Sequence, residues 1–388
     1  MKRLLFVLGI CFLMGGCAHK IEMSQLGIVA GIGIDKTLEG YRMTAQVVNA
    51  NVVAGNHPNS LPVFTISAEG TSIFEAYRRL NTLTSKVLYL PHLNVLVIDE
   101  EIANDGINVI MDFVLRNVQI RPNITLLVSK GVDSQEVLRV LAPGDNIPIN
   151  QLDSLSNMCL VCTSREVNYD LYDVSGMINA KGANPVINAV SLLGYDPQMG
   201  EDLENLLEDH SPIQLQIAHL AAFKSDKFVG YLDDNEAQYY NLIVGNAKRF
   251  VITTETEEGD LITFEARKSK TEIEPDLDQQ RFKINCEVNG VLMENDYPID
   301  LSKPDNIKTL QRYLEATLKE DVFKVVQKTQ QDLQSDILGV GSKIYQKDPK
   351  KWLAVQGYWD DLYPTLTPEI EVNVTINSVG DIQNLVEQ

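Results

Sequence analysis

Apolar and polar positions along the chain change period from element to element. Leu26–Ile34 and Tyr41–Val48 are β-rich runs joined by Asp35-Lys36-Thr37-Leu38-Glu39-Gly40, which predicts a hairpin. A polar segment with Gly55, Pro58 and Pro62 leads to a strand at Val63–Ser67. Ser72 with Glu75 forms a capping box, and Ile73, Phe74, Tyr77, Leu80 and Leu83 then recur at helical spacing. Leu93–Ile98 reads as a nearly continuous apolar strand. Ile107, Ile110, Met111, Val114 and Leu115 mark a second helix, and Ile124–Val128 is a further strand after Arg121-Pro122. Strand and helix alternating in this way predict a mixed sheet with helices packed on it, whereas the opening hairpin argues against a simple doubly wound fold. Between Gly144 and Asn184 the periodicity is weak, as in a helical or loop-rich annex.

The acidic stretch Asp196–Ser211 contains Pro197 and Gly200 and is followed by Pro212, so it is the expected linker, with a boundary near Gly200. Successive strand signals follow at Leu215–Phe223, Phe228–Leu232, Leu242–Ile252, Leu261–Ala266 and Phe282–Val291. A long helix is then predicted, capped by Ser302 and Asp305 with Pro304 in its first turn. Its stripe is Ile307, Leu310, Leu314, Leu318, Val322, Val325, Val326, Leu333 and Ile337, and the pattern ends near Gly339 and Gly341. A final strand, Ile370–Ile376, carries Val372, Val374 and Ile376 on one face. The expected class is mixed α/β (α+β), with mixed sheets flanked by helices. Its expected parts are a signal segment 1–16, an N-terminal domain 17–200, a middle domain 201–268 and a C-terminal domain 269–388 that holds the long helix.

The first residues stand apart from this pattern. Lys2 and Arg3 precede an uncharged run from Leu4 to Met14, then Gly15, Gly16 and Cys17. That run is too short for a permanent membrane span, which needs ~20 residues, and has the layout of an export signal. Cys17 after Met14-Gly15-Gly16 resembles the lipobox of bacterial lipoprotein precursors, in which the thiol is alkylated with diacylglycerol and small residues admit the peptidase. Cys11 lies inside the apolar run and leaves with the signal. Composition is that of a globular protein, with 44% hydrophobic and 22% charged residues. The net charge of −20 becomes −22 once Lys2 and Arg3 are removed. Such a charge excludes nucleic acid as a natural partner and is repelled by an anionic lipid surface, so covalent lipid must do the holding. Two acyl chains give stable anchoring where one gives marginal binding.

Catalytic and metal chemistry find little support. Cys286 lies in an alternating segment, Phe282–Val288, and reads as the buried face of a strand. Cys159 and Cys162 have CxxC spacing without a thioredoxin-like context or a second pair to complete a zinc site. His19, His57, His92, His210 and His219 are scattered, and His92, beside a core strand, reads as a structural histidine. Gly31-Ile32-Gly33 lacks the third glycine and following helix of a dinucleotide site and reads as a strand with close backbone packing. Asp233-Asp234 and Asp360-Asp361 read as turns. No enzyme activity, cofactor or metal is expected.

Taken in order, these features resemble the C-subunit lipoproteins of spore-germination nutrient receptors, the Ger(x)C family. After the lipid cysteine come Glu22 and Leu26, then Gly31-Ile32-Gly33-Ile34-Asp35-Lys36 and Gln46-Val47-Val48-Asn49. Next are Gly70-Thr71-Ser72-Ile73-Phe74-Glu75-Ala76 with Arg78, and His92, Ala103, Gly106, Asp112-Phe113 and Arg116. The later half adds Ala221-Ala222-Phe223-Lys224, Lys227-Phe228-Val229-Gly230, Gln331-Asp332, Asp336-Ile337-Leu338-Gly339-Val340-Gly341, Trp352 and Trp359. Ala18-His19 depart from the Trp-Asp that often follows the family's cysteine. The resemblance implies a three-domain mixed α/β fold, lipid attachment at Cys17, and a place on the outer surface of the spore inner membrane. It also implies a complex with two integral membrane receptor subunits, in which this subunit scaffolds or couples and a membrane subunit binds the nutrient. The polar face of the long helix is a candidate docking surface. The alternatives are a lipid-anchored solute-binding protein of a transporter, which needs two lobes closing on a ligand, and an envelope hydrolase, which needs convergent polar groups in a pocket.

Overall fold

The computed structural model describes residues 25–53, 60–141, 145, 147–194, 197–201, 204–205 and 212–379. The opening hairpin is formed by β1 (Leu26–Thr37) and β2 (Gly40–Val48). It turns at Leu38-Glu39, and Gly40 has φ +154° with the Gly70 carbonyl oxygen 2.2 Å from where a Cβ would stand. In chain order follow β3 (Val63–Gly70), β4 (Val87–Tyr89), β5 (Val95–Ile98), β6 (Thr125–Ser129), β7 (Val186–Leu193), β8 (Gln214–Lys224) and β9 (Lys227–Leu232). Together they make a nine-stranded sheet in the order β3-β2-β1-β5-β6-β7-β8-β9, with β4 also on β1. The centre, β1-β5-β6-β7, is parallel, and both flanks are antiparallel.

A parallel centre must be covered on both faces, which is why its strands are apolar without interruption. Val95, Leu96, Val97 and Ile98 are all fully buried. Leu96 and Ile98 enter a core with the helices Ile73–Leu80, Glu100–Asp105, Asn108–Arg116 and Leu171–Ile178. Val95 and Val97 enter the opposite core, with Ser134–Arg139 and Pro148–Cys162. Gly31 and Gly33 admit those last two helices. A Cβ on Gly31 would meet Ile149 at 2.6 Å, and one on Gly33 would meet Ser134 at 2.5 Å.

The smaller sheet joins β10 (Phe250–Glu255), β11 (Leu261–Asp276), β12 (Arg281–Asn295) and β13 (Thr367–Ser378) in that order. β12 and β13 pair in parallel, for example Cys286 with Val372, and the long helix Pro304–Gln327 crosses between them. Leu310, Leu314, Leu318, Val322, Val325 and Val326 of that helix are buried. Each contributes about 1.5–3 kcal/mol relative to exposure. Val186, Leu220, Ala222 and Leu232 of the larger sheet share this core with Phe264, Phe282 and Leu314, so the two sheets are packed as one body. The larger sheet thus holds strands from both sides of position 200, and β11 crosses position 268.

The α+β class, the mixed sheets and the long C-terminal helix match expectation, and several elements differ. Leu242–Ile252 is not a strand. Its first residues end the helix Asp234–Val244, which Asp233 and Glu236 start as a capping box and Gly245 ends at φ +81°. Asp233-Asp234 is therefore a helix start and not a simple turn, and Asp360-Asp361 opens the short helix Trp359–Leu362. Lys303, not Ser302, is the N-cap of the long helix, and Ser302 instead donates to Asp300 at 2.6 Å. That helix widens to a π-turn at Lys328–Asp332, so Ile337 lies beyond it, and Gly339 starts the helix Val340–Lys347. The weakly periodic stretch contains the helices Pro148–Cys162 and Leu171–Ile178. Most of the expected linker Asp196–Ser211 lies outside the described residues; the described part includes a short 3-10 turn, Pro197–Glu201.

Gly182 and Gly341 touch back to back where the two sheets meet. A Cβ on Gly341 would lie 2.7 Å from Gly182 Cα and from the Trp352 ring. Gly341→Ala is expected to lower the urea midpoint by the equivalent of about 1–3 kcal/mol, whereas Gly176→Ala, whose Cβ meets nothing within 4 Å, should not lower it.

Candidate functional site

Open sheets with a parallel centre place ligand sites at the carboxyl ends of their strands. Here Asp35 near the end of β1 and Asp99 after β5 stand at that edge. Asp35 is buried and accepts the backbone N–H of Ser134 at 2.6 Å and of Gln135 at 3.3 Å. Burial pushes its carboxyl up to about 6 against the pull of the Ser134 bonds. Asp99 accepts from Lys36 N at 2.6 Å and Ile102 N at 2.8 Å. Burial raises it as well. Outside them, Lys36 pairs with Asp105 at 3.0 Å and Arg42 with Glu69 at 3.0 Å. Tyr231 donates its hydroxyl to Glu100 and lies 4.8 Å under Lys130. These carboxylates are engaged as helix caps and ion pairs, a structural use that leaves the edge without an acid and base facing one another across a cavity.

A denser polar arrangement sits where the two sheets meet, in Leu333-Gln334-Ser335-Asp336-Ile337-Leu338-Gly339-Val340-Gly341. Asp336 is buried, and its carboxylate accepts from Val340 N at 3.0 Å, Gly341 N at 2.7 Å and Trp359 Nε1 at 3.1 Å. Its carbonyl accepts from Asn184 N at 3.0 Å. Ser335 Oγ donates to the Phe223 carbonyl at 2.6 Å, and Ser342 N to that of Gly182 at 2.7 Å. Desolvation pushes the Asp336 carboxyl up to about 6, and the three N–H bonds oppose this. Trp352 and Trp359 close the site edge to face, 5.5 Å apart. Nearby, Asn241 Nδ2 donates to the carbonyls of Ser164 and Glu166, both at 2.9 Å. The buried Glu166 carboxyl, which accepts from Thr163 at 3.3 Å, is pushed up to about 7 by desolvation.

Cys17, the expected lipid site, lies outside the described residues, as do His19, His57 and His210. The Cys159 side chain is likewise outside them; Cys162 is exposed. Cys286 is fully buried in β12, and desolvation pushes its thiol up to about 11. His92 is exposed beside Tyr89, at 5.6 Å between ring centroids, and is not enclosed in the core. His219 adopts φ +74° in an irregular stretch of β8, its N–H held by Asp234 at 3.2 Å. Asp234 also lies 3.8 Å from Arg165, and Asp360 lies 3.4 Å from Lys224. Sequence reading missed Asp336 and Glu166 as buried acids, because Gln334-Ser335-Asp336 and Ser164-Arg165-Glu166 look like ordinary polar segments and carry no sign of the distant groups that enclose them. Among the described residues no three His, Cys, Asp or Glu are grouped to hold a metal ion, and no helix is long and apolar enough to cross a membrane.

Fold and site together define a two-sheet α+β protein whose polar clusters cap helices and tie one sheet to the other. The chain belongs to the spore germination B3/GerAC-like family. The family's C-terminal model matches residues 218–380, and the spore germination protein N-terminal domain matches residues 19–192. The chain is 26% identical to spore germination protein KC of Bacillus subtilis (strain 168), over 94% of this chain and 92% of that one. It is 23% identical to spore germination protein B3 of the same organism, over 95% of each. The crystal structure of the GerBC protein has the same fold, with TM-score 0.54 at 22% identity, covering 92% of this chain and all of that one.

Two expectations follow. Asp336→Ala leaves three buried donors without their acceptor and should cost about 2–4 kcal/mol in urea unfolding, while Asp361→Ala at an exposed site should stay within ~0.5 kcal/mol. Glu166 has a folded value raised above its unfolded one, so its favourable contribution is complete below the unfolded value of about 4.5 and is lost as pH rises through about 7. Glu166→Gln should therefore stabilise the protein by about 1–3 kcal/mol at pH near 8 and have little effect near pH 4; urea midpoints at both pH values check the sign.

Proposed function

We propose that this chain is the lipid-anchored C subunit of a nutrient germinant receptor, held by diacylglycerol on Cys17 at the outer surface of the spore inner membrane. There it couples or scaffolds two integral membrane subunits without catalysing a reaction. The observation that carries this reading is that relatives named as spore germination proteins align with the chain over nearly their whole length, through both sheets and the joint between them. The shared core supports a part that transmits force or position as one body. It also disfavours a solute-binding protein, whose lobes must open and close on a ligand. The outer side of the long helix, where Lys308 pairs with Asp305 and Lys324 with Glu320, is retained as a docking surface for a membrane subunit.

Cys17→Ala tests the anchor. The variant should fold with wild-type circular dichroism and urea midpoint, leave the spore membrane fraction, and impair nutrient-triggered germination. Membrane retention equal to wild type would reject lipid attachment at Cys17.

A further inference from the structure

Eight residues lie between Cys17 and Leu26, the first residue of β1, and the nine steps from one to the other reach about 30 Å at full extension. The end of the larger sheet where β1 begins is therefore the part of the body closest to a lipid on Cys17. Chain direction gathers several segments there. Leu26 pairs with Val87 of β4, Val29 with Val47 of β2, and Val48 with Val63 of β3. Asn49 N donates to the Pro62 carbonyl at 2.8 Å and holds the turn Ala50–Val53 beside Leu61. The helix Ile73–Leu80 runs from the opposite end of the sheet and delivers Leu83 to this one.

The part of this end formed by β1–β4 is apolar and free of acid; the nearest carboxylates lie further along the sheet at the start of β6, where Asp153 accepts from Thr125 at 2.6 Å. Val53, Leu61, Phe64, Leu83 and Val87 are between 37% and 56% exposed. No Asp, Glu, Lys or Arg occurs between Arg42 and Glu69, and Lys86 alone is charged between Arg79 and Asp99. The opposite end of the same strands carries Lys36, Glu39, Arg42, Glu69, Glu101, Asp105 and Asp133. A body of net charge −22 thus keeps carboxylates off the β1–β4 corner nearest its tether, which suits an anionic headgroup layer that repels acids and accepts apolar side chains.

We propose that Val53, Leu61, Phe64, Leu83 and Val87 form a membrane seat, inserted into the headgroup region of the bilayer that carries the Cys17 lipid. The proposal rests on the anchor assigned above, and the test separates the two. The mature lipidated chain is reconstituted on phosphatidylglycerol–phosphatidylethanolamine vesicles with brominated acyl chains. A single tryptophan is introduced as Leu61→Trp, Val87→Trp or, at the far end, the fully exposed Leu38→Trp. Trp352 and Trp359 are buried and supply a constant background. Fluorescence from positions 61 and 87 should fall at least twofold further than from position 38. A chain that fails to float with the vesicles overturns the anchor and, with it, the proposal. A chain that floats while 61 and 87 quench no more than 38 overturns the seat alone and assigns that face to a protein partner.

Discussion

The joint between the two sheets is arranged around one buried carboxylate. Moving an unpaired carboxylate out of water is prohibitive, so Asp336 is tolerable in the core because three N–H donors converge on it. Meeting that demand fixes its neighbours. The chain must turn back within five residues to present the Val340 and Gly341 amides, which Gly339 permits at φ +74°. Trp359 must lie flat enough to aim its indole N–H inward, which brings it against Trp352. Gly341 must lack a side chain, because Gly182 of the other layer occupies that space. The joint is thus a set of mutually dependent choices, in which a change at one position leaves a donor or a void at another.

That dependence bears on how the protein works. The coupling role proposed above needs parts that move together. Ser335 bonded to the Phe223 carbonyl, Asn184 bonded to that of Asp336, and a core shared by Val186, Leu220, Phe282 and Leu314 bind the sheets tightly enough for that. The edge where comparable sheets hold ligands is instead filled by Asp35 and Asp99 acting as caps on backbone amides. The same residue type in a cleft would suggest acid–base chemistry; bonded to helix starts, it holds β1, β5 and their helices in register.

How far the sequence could be read depended on whether an element's cause was local. The β1–β2 hairpin, the Ser72–Glu75 helix start and the stripe of the long helix are set by neighbours in the chain, and all were legible. The helix Asp234–Val244 was misread although Asp233 and Glu236 announce it, because the apolar Leu242-Ile243-Val244 continues toward Phe250 and imitates one strand. β7 was missed because its pattern is almost wholly apolar and depends on β6 and β8 on either side. Asp336-Ile337-Leu338-Gly339 was noticed for its resemblance to the family, but its purpose is non-local. The partners that make it a joint, Asn184, Phe223 and Gly182, lie more than a hundred residues away.

Charge follows a similar division between local and global causes. Surface ion pairs such as Lys308–Asp305 and Lys324–Glu320 are exposed and worth ~0–1 kcal/mol each, so they do not account for an excess of twenty negative charges. Self-repulsion among so many carboxylates opposes folding, and the compact state persists because three apolar cores outweigh it. The acid excess is better understood as a property of the outer surface. It keeps copies of the chain apart and repels the body from an anionic bilayer wherever acids are dense. On the tether proposed at Cys17 such repulsion would become an orienting torque, because the acid-free corner of β1–β4 is the face it does not push away. In the proposed receptor, charge asymmetry along one sheet would then select which surfaces remain free for partners, and lipid on Cys17 would supply the proximity that the net charge denies.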